Sequence, residues 1–211
     1  MRSLAATALL ALSACATVPE GEAKLVWSDE FEGTAIDPAK WSFDVDCWGG
    51  GNDERQCYTD RAKNARIEDG VLVIEAHRED FTGPAVHATM VKPENAAATQ
   101  TKPFTSAKLL TRGKAAWKYG RIAVRAELPQ GQGTWPAIWM LPEDWSRGAW
   151  PLPGEIDIME AVNLGVPCAT CPGGKESTVL GTLHFGGAWP NNKHKGEEMA
   201  AAIREGVRAH G

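Results

Sequence analysis

From residue 25 onward the apolar residues come in brief runs or at every second position, and Gly, Pro, Asn and Asp interrupt them. Side chains on a strand alternate between faces, so this spacing predicts short strands with one buried side, assembled as an all-β sandwich. Strands are expected at 25–27, 65–68, 71–76, 120–128, 134–141, 155–162 and 179–185. Asp69-Gly70 joins the second to the third as a two-residue hairpin turn, because such turns need positive φ and Gly tolerates it. No long amphipathic helix interrupts the series. Its end departs from the pattern, since 196–208 is rich in good helix formers and reads as a helix-like run.

The first residues differ again. Met1-Arg2-Ser3 and the apolar run from Leu4 to Leu12 make a short basic start and a hydrophobic segment too brief to span a bilayer, the make-up of an export signal. It ends in Leu12-Ser13-Ala14-Cys15, which resembles the lipobox of bacterial lipoproteins. That resemblance implies a signal peptide over 1–14 and a lipid-bearing Cys15 that opens an anchor and linker over 15–24. Ala16 resembles the following residue of lipoproteins sent to the outer membrane, so the expected location is the outer membrane, cell surface or periplasm of a bacterium. Ordinary signal cleavage with an unmodified Cys15 is the alternative.

Length, charge and the remaining cysteines narrow the picture. The 211 residues, 43% hydrophobic and 23% charged, suit one soluble domain, expected to be a monomer. A net charge of −5 leaves no basic footprint for a phosphate backbone, so nucleic acid is not an expected partner. Besides Cys15 there are four cysteines, and an oxidising compartment makes them disulfide candidates. Cys47 with Cys57 closes a Gly-rich loop, and Cys168 with Cys171 closes a tighter one. A redox-active or zinc-binding Cys-x-x-Cys is disfavoured, because no helix signal follows and no second close pair lies at zinc spacing. Nine Trp against two Tyr suit stacking on the flat apolar faces of sugar rings, with core packing as the other use for about half of them.

Candidate chemistry concentrates in Gly154-Glu155-Ile156-Asp157-Ile158-Met159-Glu160. Breaking a glycosidic bond takes one acid to protonate the departing oxygen and a second carboxylate across the anomeric carbon. On a regular strand Glu155 and Asp157 share a face and Glu160 takes the other. One β-bulge between Asp157 and Glu160 shifts the later register by one and returns Glu160 to the first face, with Met159 as the expected extra residue. Four regular steps then separate the Glu155 and Glu160 backbones by roughly 13 Å, and inward-leaning side chains can close that to the ~5–5.5 Å of a retaining glycosidase. Like charges this close raise the pKa of one carboxyl and leave its partner ionised. An exposed strand with alternating acids on a solvated face is the alternative reading.

The segment resembles the active-site strand of glycoside hydrolase family 16 in its laminarinase-like form. Other stretches carry the resemblance in order and spacing across roughly 25–192: Trp27-Ser28-Asp29-Glu30-Phe31, Asp37-Pro38-Ala39-Lys40-Trp41, Gly51-Asn52-Asp53-Glu54-Arg55-Gln56-Cys57-Tyr58, Tyr119-Gly120-Arg121-Ile122, Gly133-Thr134-Trp135-Pro136-Ala137-Ile138-Trp139 and Gly181-Thr182-Leu183-His184-Phe185. It implies a concanavalin A-like β-jelly-roll with a substrate groove on its concave sheet and endo-cleavage with retention of configuration. Carried onto this sequence, Glu155 is the nucleophile, Asp157 the supporting acid and Glu160 the general acid and base. Trp135 and Trp139 match a sugar-stacking platform, although either can be core. His184 matches a histidine near the acids, able to bond Asp157, and Asn52 and Arg121 match contacts to sugar hydroxyls.

The resemblance stops after Asn191-Asn192, so 193–211 is expected to be a non-family tail and the jelly-roll incomplete at its C-terminal end. No cofactor is expected for catalysis. A structural calcium with Glu30 as a candidate ligand is implied by the family, its other ligands being unknown. The expected function is hydrolysis of a β-1,3-glucan such as laminarin, with mixed-linkage glucan or a galactan as other substrates. A non-catalytic β-glucan-binding protein, or an inactive product, are the rivals.

Overall fold

The computed structural model describes residues 24–201. The expected signal peptide, Cys15 and the end of the helix-like run lie outside the described residues. The chain divides into Met1–Glu30 and Phe31–Gly211. Within the described part of the first unit, 24–30, no strand forms, so the strand expected at 25–27 is absent there.

The second unit is built from strands and two short 3-10 turns. In chain order they are β1 (Ser42–Asp44), β2 (Gln56–Tyr58), β3 (Ala65–Glu68), β4 (Val71–Ile74), β5 (His77–Pro84), β6 (Thr99–Ser106), β7 (Lys108–Leu110), β8 (Ala137–Met140), β9 (Glu155–Glu160), β10 (Thr178–Phe185) and β11 (Lys193–Ala200). They form a four-stranded sheet in the order β11-β10-β9-β8, a three-stranded β2-β6-β5, and the pairs β1-β7 and β3-β4. The β3-β4 hairpin forms as expected. Glu68 pairs with Val71, and Asp69 and Gly70 have φ of 52° and 74°, the left-handed values a tight two-residue turn demands.

Two expected elements come out differently. The alternating stretch 120–128 pairs with no strand among the described residues and is mostly exposed, with Ile122 42% and Val124 54% accessible. Alternation alone does not make a strand, because the backbone groups also need a neighbouring ladder. The run from Gly196 is strand, not helix, as far as Ala200. All eight residues of β11 pair antiparallel with β10, from Thr178↔Ala200 to Phe185↔Lys193. Helix propensity amounts to a few tenths of a kcal/mol per residue, and the free edge of β10 outweighs it.

The core is small and partly polar. Cys47, Cys57, Ala65, Ala107, Ala161 and Leu164 are its buried apolar residues, and the Cys47–Cys57 disulfide joins the first two. Beside them a fully buried Asn64 accepts from the Thr59 hydroxyl and donates to Thr105 Oγ1 and the Glu75 carbonyl. Those bonds tie the β3-β4 hairpin to β6. Buried polar groups satisfied in this way fix one arrangement of the strands. The Cys168–Cys171 disulfide also forms, closing the turn between β9 and β10.

Candidate active site

The central strand of the four-stranded sheet carries the acids. Gly154, at φ 93°, turns the chain into β9 in a conformation that other residues rarely adopt. On the β10 side Glu155 faces His184, Ile156 faces Leu183 and Asp157 faces Thr182. Glu160 then faces Leu180, three residues on β9 for two on β10. On the β8 side Asp157 faces Trp139, Met159 faces Ile138 and Glu160 faces Ala137, which leaves Ile158 without a partner. The expected one-residue shift is therefore present, but the extra residue is Ile158. Met159 keeps Ile138 opposite it, so the ladder resumes one position earlier than the sequence suggested.

The bulge decides which side Glu160 takes. Trp139 and Ala137 are two apart on β8, as are His184, Thr182 and Leu180 on β10, so each set shares a face. Directly opposed residues share a face too, and Glu155, Asp157 and Glu160 thus line one side. Asp157 is the deepest, with its residue 5% exposed. His184 Nε2 lies 3.1 Å from Asp157 Oδ2 and 3.9 Å from Glu155 Oε1. Both flanking carboxylates receive an indole hydrogen bond of 3.0 Å: Trp150 Nε1 donates to Glu155 Oε2, and Trp135 Nε1 to Glu160 Oε1.

Burial sets the protonation of this cluster. It is the largest effect on Glu155, followed by the Asp157 charge, and together they push that carboxyl up to about 7 against the opposing Trp150 bond. Asp157 and Glu160 are also raised, in each case by burial first. The His184 charge works against the rise at Asp157, and the Trp135 bond against that at Glu160. The contact between Glu155 and Asp157 works to raise the former and to lower the latter.

The remaining expected residues divide. Trp139, 36% exposed, stands opposite Asp157 with the Lys108 ammonium 5.0 Å from its ring centre. Asn52 is exposed on the Gly-rich loop, where its N–H donates to the Gly49 carbonyl, and Arg121 is exposed in the irregular stretch 121–130. Among the described residues neither touches the acids. Strand periodicity gave no sign of Trp150, which sits in a loop five residues before Glu155 and also packs near His184 and the exposed Trp189. The sequence signal for both was the excess of tryptophan. Lys108 was missed as well: Asp44 holds its ammonium at 2.9 Å and His87 at 3.1 Å. Burial works to raise the Asp44 carboxyl, but those two partners outweigh it and hold it below its ordinary value.

Three groups of described residues bring metal-ligating atoms within 4.8 Å of one another, and Glu30 is in none of them. Glu155, Asp157 and His184 form the acid cluster itself. In Asp44, Asp46 and His87 a cation would face the Lys108 ammonium, and an imidazole is a poor ligand for calcium. Beside Glu176, both sulfurs of Cys168 and Cys171 are tied in their disulfide.

Comparison with known proteins fits this geometry. A family model described as "XgeA-like, catalytic GH16 domain" matches residues 82–170, which contain all three acids and both Trp135 and Trp150. The chain belongs to glycoside hydrolase family 16. It is 46% identical over 165 residues to a beta-glucanase of Rhodothermus marinus, and 44% identical over 185 residues to a glucan endo-1,3-beta-glucosidase of Cryptopygus antarcticus. Those matches take in 76% and 87% of this chain but 48% and 58% of the two proteins, so the family 16 chain spans about half the length of these relatives. The laminarinase catalytic domain from Thermotoga maritima superposes with a TM-score of 0.64 at 37% identity, covering 87% of this chain and 64% of that one. The all-β jelly-roll expected from the sequence is the fold of this family member.

The raised Glu155 carboxyl makes a prediction about stability. A carboxyl with a folded pKa above its unfolded value binds extra protons in the folded state, so its contribution is present at low pH. That contribution fades as pH rises from 4.5 toward about 7. Glu155→Gln, neutral at every pH, therefore leaves the melting temperature near that of the parent at pH 5 and raises it by about 2–4 °C at pH 8. Thermal unfolding followed by circular dichroism at the two pH values checks this.

Proposed function

We propose that this family 16 chain hydrolyses β-1,3-glucan internally, by double displacement with retention. The observation that carries the reading is the bulged strand, which turns Glu155, Asp157 and Glu160 to one face. In the first step a Glu155 carboxylate oxygen attacks the anomeric carbon while Glu160 gives its proton to the glycosidic oxygen, which leaves with the electron pair of the broken bond. In the second, Glu160 takes a proton from water, the water oxygen bonds to the anomeric carbon, and Glu155 departs as carboxylate. Trp135 and Trp139 supply apolar faces beside the reacting sugar. Laminarin is the preferred substrate on the strength of the relatives' names, with mixed-linkage glucan and galactan behind it.

One feature favours a second ordering of roles. In the free protein Glu155 is the carboxyl pushed up to about 7, which suits a proton donor better than a nucleophile. Asp157 answers this, because it shares a hydrogen bond with Glu155 and lies against His184, so it can take the proton as Glu155 attacks. A comparable acceptor is not placed beside Glu160 by the contacts described above. The Glu155 nucleophile is therefore the preferred ordering.

Export with a lipid on Cys15 belongs to the same proposal and is supported by Leu12-Ser13-Ala14-Cys15 alone. On this reading the partner surfaces are a β-glucan and, through the lipid only, a membrane. Glu155→Gln is expected to lower reducing-end release from laminarin by ~10³-fold or more while laminari-oligosaccharide binding persists. Equal and negligible release by parent and variant, with binding intact, would make the chain a glucan-binding protein. Proton NMR of the parent's first product should show the β-anomer. For the anchor, Cys15→Ala should move the protein from the membrane fraction to the soluble one, and unchanged partition would rule the lipid out.

A further inference from the structure

The two indole donors come from unrelated places in the chain. Trp150 sits in the loop that enters β9, and Trp135 lies just before β8, yet each Nε1 stands 3.0 Å from a different glutamate of the same strand. An indole N–H can only donate. The oxygen it reaches must therefore act as acceptor, and the carbonyl or anionic oxygen of a carboxyl is the better acceptor of the two. When either glutamate is protonated, its proton is directed to the other oxygen.

We propose that Trp150 and Trp135 are positioning residues that assign the proton of each glutamate to one oxygen, Oε1 of Glu155 and Oε2 of Glu160. The proposal rests on the catalytic reading above and deepens it. Glu155 Oε1 is the oxygen that approaches His184, at 3.9 Å, so its proton lies on the side of the group that steadies Asp157. Passing that proton to Asp157 leaves a Glu155 carboxylate still held by Trp150 and ready to form the bond to the anomeric carbon. At Glu160 the Trp135 bond leaves Oε2 to donate to the departing oxygen, and the same oxygen later accepts the proton of water. The indole N–H bonds stay intact throughout, so neither tryptophan gains or loses a proton.

Among the described residues, these groups bear on the two carboxyls. Asp157 and the opposite glutamate face them from β9, and His184 from β10, with the His194 ring of β11 6.1 Å from His184. From the β8 side Trp139 stands opposite Asp157 with Lys108 over its ring. Among the described residues each indole bonds one of the two carboxyls, and that selectivity makes the proposal testable without turnover.

The full chain labelled with nitrogen-15 gives one indole N–H resonance per tryptophan, and Trp150→Phe and Trp135→Phe identify the two of interest. The Trp150 resonance is expected to shift with a midpoint near pH 7, and Glu155→Gln to abolish that shift while the Trp135 shift persists. Glu160→Gln should do the reverse. A Trp150 resonance indifferent to pH, or one whose titration survives Glu155→Gln, overturns the proposal, as does the matching result at Trp135. In hydrolysis, losing a donor to an anion raises the carboxyl pKa by about one unit. Trp150→Phe should move the acidic limb of kcat/KM upward and Trp135→Phe the basic limb, and unmoved limbs count against the proposal. Absent hydrolysis in a parent that shows both indole titrations would instead speak against the catalytic reading, since the proton assignment would stand.

Discussion

Ile158 lies opposite no residue of β8, and the geometry of the site follows from that one irregularity. A strand turns successive side chains to opposite faces, so five positions separating Glu155 from Glu160 would place them on different sides of a regular sheet. Adding one residue to β9 without adding one to either neighbour reverses the parity of all that comes later. Gly181 faces the irregular part of β9, where a Cβ built on it would lie 3.6 Å from the Asp157 carbonyl oxygen and 3.7 Å from that of Ile158. The neighbouring strands thus accommodate the bulge, and Glu160 joins the acids already facing inward.

Bringing three carboxyls together is electrostatically unfavourable, and the surroundings offset it unequally. His184 meets Asp157, Trp150 meets Glu155 and Trp135 meets Glu160, so each acid has its own polar partner. The partners do not cancel burial, and all three carboxyls remain above their ordinary values. Glu155, pushed up to about 7, is the one for which burial brings the proton close to neutral pH. A second, compensated cluster reaches Trp139: Asp44 holds both His87 and Lys108, and the Lys108 ammonium rests over the Trp139 ring. On the sheet face opposite the acids, Ile156 and Leu183 are each 46% exposed among the described residues.

Much of this was legible in the residues. The β3-β4 turn follows from Asp69-Gly70, both disulfides from four cysteines in two close pairs, and the parity shift in β9 from the condition that Glu160 share a face with Glu155 and Asp157. What escaped depends on partners distant in sequence. Among the described residues 120–128 alternate properly yet find no ladder, and 196–200 favour helix yet pair with β10. The position of the bulge escaped for the same reason: acids sharing a face need an extra residue somewhere in β9, and only pairing with Ile138 and Trp139 assigns it to Ile158. Trp150 and Lys108 act across loops and between sheets, where no periodicity points to them.

The assignment of roles to Glu155 and Glu160 is the part of this account on which the chemistry turns. A 2-deoxy-2-fluoro laminaribiosyl substrate with a good leaving group slows departure from the covalent intermediate, and peptide mass spectrometry then locates the attached sugar. The sugar is expected on Glu155. Attachment to Glu160, or laminarin hydrolysis by a chain that never acquires a label, would contradict the mechanism.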